Sequence, residues 1–133
     1  MTYALDTNIV SYILKGNAAL DIKLNAVTRA GNKVVIPLMV YYEARRGLLN
    51  DNAINKMRIF DKLCARLNVD NLTVSDMNTA ANIYDKRKRS GTIIDDADIL
   101  IAAQCITNNY TLVTNNVRHF KDMDGLIYEN WID

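Results

Sequence analysis

Tyr3-Ala4-Leu5-Asp6-Thr7-Asn8 joins two patterns, and its reading decides the fold. Tyr3, Ala4 and Leu5 form a short apolar run of the kind buried in a strand. Asn8, followed by Ile9, Val10, Tyr12 and Ile13, reads as a cap that opens a helix. Asp6 therefore stands at a strand's carboxyl end. In open sheets covered by helices on both faces, ligands bind at that edge, so an acid there is placed for chemistry. Asp also favours turns, and on this stretch alone Asp6 reads equally well as a turn residue. Acids and amides at equivalent points further along tip the balance.

Working outward, Ile9 to Leu14 makes a short helix that stops near Gly16, and Asn17 caps a second one carrying Leu20, Ile22, Leu24 and Val27. Lys33-Val34-Val35-Ile36 is a strand of buried type, and Pro37, the one proline, suits the first turn of the helix that follows to Leu49. Glu43 lies about two turns into that helix, aimed at the same rim as Asp6. The spacing predicts a helix over Asp51 to Leu67, a short strand over Val69 to Val74, and a helix capped by Ser75-Asp76 that runs into Lys86-Arg87-Lys88-Arg89. Thr92 to Asp98 is expected as a loop feeding a deeply buried helix, Asp98 to Ile106. Tyr110 to Val113 is a further strand, ending in Thr114-Asn115-Asn116, and Leu126 to Tyr128 closes the chain as an edge strand or tail. Strands alternating with helices predict an α/β fold, residues 1–133 forming a single domain with an open, mostly parallel sheet and helices on both faces.

Composition limits the function classes. Half of the 133 residues are hydrophobic, and a domain of this size buries roughly 68% of the surface its unfolded chain exposes. Cys64 and Cys105 sit in apolar helical patterns with no CxxC pair, as reduced core residues of a cytosolic protein do. No leader and no apolar run of the roughly 20 residues a membrane span needs is present, so the expected location is cytoplasmic, with no membrane partner. A net charge of +1 argues against a general nucleic-acid coat. The 86–89 run and Arg45-Arg46 are local basic clusters, read either as solvated helix surface or as contacts for a polyanion.

Asp6, Glu43, Asp98 and Asn116 all fall at strand ends or at helix turns just beyond them. Carboxylates gathered at one rim repel one another unless cations join them. Hard oxygen donors without thiolate or imidazole point to magnesium, with manganese as the alternative. Metal-assisted phosphodiester hydrolysis is the natural reaction class.

Leu5-Asp6-Thr7-Asn8, Tyr42-Glu43 with Arg46-Gly47-Leu48, Asp98-Ile99-Leu100-Ile101-Ala102-Ala103 and Leu112-Val113-Thr114-Asn115-Asn116 resemble the successive motifs of PIN-domain ribonucleases. Their order, and a tail from Gly125-Leu126 to Asn130-Trp131, is most similar to the VapC toxins of type II toxin–antitoxin pairs. The resemblance implies an Mg²⁺- or Mn²⁺-dependent endoribonuclease acting on tRNA or rRNA and silenced by a cognate antitoxin. It also implies a homodimer that forms a larger complex with the antitoxin on operator DNA. Asp6, Glu43 and Asp98 match the family's core acids, and Asn116 stands where many PIN domains carry a fourth acid. Asp6 and Asp98 are thus expected to hold the principal metal, with Glu43 completing the acidic cup. Asn8, Arg45, Arg46 and Thr114 are candidate substrate contacts. Asp96 is expected to cap the buried helix, Asp95 is left open, and His119, beside Phe120, reads as structural or surface.

Two rivals differ in class. A phosphatase with Asp6 as nucleophile needs an acid–base partner two residues on, where this chain has Asn8. A catalytically weak module binding RNA or protein keeps the motifs without metal-dependent cleavage.

Overall fold

The computed structural model describes residues 1–92 and 94–132. Ile93, within the expected 92–98 loop, and Asp133 lie outside the described residues. In chain order the elements are β1 (Thr2–Leu5), α1 (Thr7–Leu14), α2 (Ala18–Arg29), β2 (Lys33–Pro37), α3 (Leu38–Asn50), α4 (Ile54–Leu67), β3 (Val69–Asp70), α5 (Val74–Arg89), α6 (Asp96–Asn108), β4 (Thr111–Val113), α7 (Val117–Phe120) and β5 (Ile127–Glu129). The strands form one sheet in the order β3-β2-β1-β4-β5, and every pairing is parallel.

This order places the site. From β1 the chain steps outward through β2 to β3, then returns past β1 to lay down β4 and β5. Right-handed crossovers, the rule between parallel strands, carry the connections before and after this reversal to opposite faces. The direction of winding reverses between β1 and β4, so the helices leaving those two strands diverge and open a crevice at their carboxyl ends. Ala4 and Leu5 of β1, Val34 to Ile36 of β2 and Leu112 and Val113 of β4 are buried in the middle of the sheet. They pack against Ile9, Val10, Leu20, Leu24, Phe60 and Ile101 from both helical layers, joining the two faces into one core.

Several boundaries differ from the expectations, each for a local reason. Asp6, not Asn8, caps α1, because its side chain accepts from the Thr7 N–H. Pro37 ends β2 and stands as the N-cap of α3. The helix expected from Asp51 starts at Ile54, after Asn52 turns the chain with φ 51°. The strand over Val69 to Val74 shrinks to two residues because Thr73 and Asp76 close a reciprocal capping box, which starts α5 early. The cap of α6 is Asp95, without a side-chain cap bond, and Asp96 is the first helical residue; the capping role expected of Asp96 is corrected.

Candidate active site

Asp6 is reached directly from β1. Its backbone N–H continues the ladder to the Val113 carbonyl at 2.9 Å, which fixes the residue against the end of β4. Its side chain is buried, at 4% exposure, and every near donor is local or comes from the β4 end. The Thr7 N–H donates to Oδ1 at 2.8 Å, while the Thr114 hydroxyl and the Asn8 amide donate to Oδ2 at 2.7 and 3.1 Å. Asn8 in turn accepts the Asn115 N–H at 3.0 Å, and the Asn116 N–H donates to the Thr114 hydroxyl at 2.9 Å. The segments after β1 and β4 are thus sewn together around one carboxylate.

Asp98 enters from the first turn of α6, its side chain 18% exposed. Its Oδ2 lies 2.8 Å from Nδ1 of His119 on α7. Glu43, on α3, accepts the Thr7 hydroxyl at 2.7 Å and lies 4.0 Å from the Arg46 guanidinium. Burial pushes the Asp6 carboxyl above its ordinary value and Asp98's charge adds to this, against the hydrogen bonds from Thr114, Thr7 and Asn8. Asp98 is raised too, by burial first, with the charges of Asp95 and Glu43 adding and His119 opposing. The rim is a place where negative charge is crowded and drawn away from water.

Among the described residues no three His, Cys, Asp or Glu side chains stand close enough together to hold a metal ion by themselves. The three acids converge electrostatically all the same, Asp98's charge acting on Asp6 and Glu43's on Asp98. Within that group Glu43 turns its oxygens to the Thr7 hydroxyl and the Arg46 guanidinium. The donor chemistry still fits a hard divalent cation, because magnesium ordinarily takes one or two carboxylates and keeps several waters.

The other candidates divide. Thr114 and Asn8 meet the Asp6 carboxylate as donors rather than standing free at the surface. Arg46 lies beside Glu43 with its side chain 60% exposed, open to an incoming phosphate. Arg45 pairs with Asp61 of α4 at 3.1 Å, across the helix pair and not with the rim acids. In the basic run, Lys86 pairs with Asp124 and Arg89 with Asp85 across one helical turn. Asn116 offers the rim its backbone N–H, and its amide lies 3.3 Å from His119. Two residues were missed. Thr7 bridges Asp6 to Glu43, and His119, read as structural or surface, touches Asp98. The signal for His119 was its i+3 spacing from Asn116 directly after a strand.

A parallel α/β sheet with acids at its topological switch point defines the class, and the PIN domain family model matches residues 3–126. Over its length the chain is similar to ribonuclease VapC2 of Rickettsia felis, 29% identical with 98% of each chain covered. It is 30% identical to ribonuclease VapC2 of Haemophilus influenzae strain Rd, with 99% of each covered. The fold superposes on the crystal structure of VapBC2 from Rickettsia felis bound to a DNA fragment from their promoter, with a TM-score of 0.92, 28% identity, and 99% of this chain and 100% of that one covered. The chain belongs to the PIN-domain family, among its VapC ribonucleases.

Proposed function

We propose that this chain is the toxin of a type II toxin–antitoxin pair, an endoribonuclease that hydrolyses phosphodiester bonds in tRNA or rRNA with Mg²⁺ or Mn²⁺. The observation that carries this reading is the buried Asp6 carboxylate, fixed by three donors and facing the charge of Asp98 at the sheet's switch point. Asp6 and Asp98 are the residues that would hold the cation. When bound, such an ion supplies Lewis-acid chemistry, offsetting charge that builds on the phosphoryl oxygens and easing loss of a proton from an attacking water. Thr114, Asn8 and the Thr7 N–H hold Asp6 in one orientation, so little is reorganised when the substrate arrives. Glu43, its Oε1 engaged by Thr7, adds a third negative charge to the wall. Arg46, largely exposed beside Glu43, is the basic group that offsets the repulsion between an acidic site and a polyanion.

The VapBC2 relative, solved with a promoter fragment, supports a cognate antitoxin and a larger complex on operator DNA for this chain; the homodimer and silencing by the antitoxin belong to the same proposal. The test is cleavage of total RNA by the purified chain with Mg²⁺ or Mn²⁺, with and without EDTA. Discrete tRNA or rRNA fragments that vanish with EDTA are expected. RNA left intact in both metals would leave the binding-module reading in its place.

A further inference from the structure

We propose that His119 is a positioning residue of this site, its Nδ1–H holding Oδ2 of Asp98 so that the carboxylate keeps one orientation toward a divalent cation. The inference rests on the metal-dependent reading above and extends it to a residue outside the acidic set. His119 is the only histidine of the chain, and its side chain is half exposed, so core packing does not account for its place. At 2.8 Å from a carboxylate oxygen, Nδ1 carries the proton, because an ionised carboxylate only accepts. The Asn116 amide nitrogen stands 3.3 Å from the same ring nitrogen, and because a protonated Nδ1 does not accept, this approach is a contact and not a second hydrogen bond.

The backbone makes the contact a fixed one. Phe120, the next residue, is fully buried, and the His119 N–H donates to the Asn116 carbonyl at 3.0 Å. The short segment 114–119 therefore reaches both carboxylates. At one end the Thr114 hydroxyl donates to Asp6, and at the other His119 donates to Asp98, with the Asn116 N–H tied back to Thr114 between them. One turn after β4 thus sets how the two acids stand to each other. Removing an outer partner of a metal-ligating carboxylate typically costs about 10- to 100-fold in metal affinity.

The test is titration of the metal-stripped full chain with manganese(II) by calorimetry, beside melting in EDTA and cleavage of RNA. His119→Ala is expected to weaken manganese binding by about 10- to 100-fold while melting with the wild type in EDTA. His119→Asn, whose amide nitrogen takes the place of Nδ1, is expected to restore most of the affinity. Asp98→Asn marks the floor. If His119→Ala binds manganese like the wild type while Asp98→Asn does not, the positioning role is wrong and the metal reading stands. An Asn variant as weak as the Ala variant would also overturn the role, since the donor would then not be the cause. A wild-type chain that binds no manganese would overturn the metal reading and this inference together.

Discussion

The molecule holds two sets of withdrawn acids, and the contrast between them separates architecture from chemistry. Asp76 is fully buried near the start of α5, where its Oδ2 accepts the Thr73 N–H at 2.9 Å and its Oδ1 the Asn108 amide at 3.2 Å. Asp70, at the end of β3, accepts from Gln104 at 3.0 Å and from the Tyr110 hydroxyl at 3.0 Å, and the phenol is pushed up to about 12 by burial and by that bond. Each acid there closes a helix start or ties β3 to α6. At the rim Asp6 is almost as buried and as well supplied with donors, yet the group facing it is another acid. Burial of a carboxylate therefore marks neither kind of place. What distinguishes the rim is like charge set against like charge at the strand ends where the winding reverses.

The largest expected effect breaks this comparison on the catalytic side. Asp6→Asn or Asp98→Asn should lower the rate of RNA cleavage in saturating Mg²⁺ or Mn²⁺ by on the order of 10³-fold, the loss of several kcal/mol of transition-state charge stabilisation. Both variants should stay folded, which thermal melts in EDTA check. A variant that cleaves at the wild-type rate would show that the rim acids play no part in the reaction. The next effect concerns the other set. Asp76→Ala leaves the Thr73 N–H and the Asn108 amide without their acceptor, and loss of a cap together with unsatisfied buried donors costs about 2–4 kcal/mol. Urea unfolding measures that cost. Well below its melting temperature the variant should keep the wild-type cleavage rate, and a cleavage defect there would merge the two sets into one site.

The two sets were unequally legible in the sequence. The rim could be read because strand ends and acids recur in step: Asp6 after Leu5, Asp98 at the head of an apolar helix, and Asn116 after Val113. The sheet followed from the same alternation. The second set could not be read, since Asp70, Asp76 and Gln104 belong to three separate elements and Tyr110 to the connection before β4, and they meet only once α5 and α6 pack together. The short β3 was over-extended for a related reason. A run of β-type residues suggests a strand, but the Thr73–Asp76 box captures the backbone donors first. At the rim itself, spacing located the acids and misjudged their partners. It could not show that Glu43 would turn to Thr7 and Arg46, that Arg45 would cross to Asp61, or that the lone histidine would lie against Asp98.

The smallest expected effect sharpens the comparison through pH. In the metal-free protein Asp6 and Asp98 hold their protons more tightly when folded than the same groups do in the unfolded chain. Between the ordinary carboxylate value of 3.8 and the raised folded values, the native state carries more protons, so stability falls as pH rises through that window and levels off above it. Asp6→Asn removes one of the two contributions. Its stability relative to the wild type should rise with pH across the same window in EDTA, measured as the difference between urea midpoints at each pH. Manganese should shrink the difference, because a cation between the carboxylates favours their ionised form. A relative stability that does not change with pH would mean that crowding at the rim leaves the Asp6 proton no tighter than in the unfolded chain, and the two sets would differ in position alone.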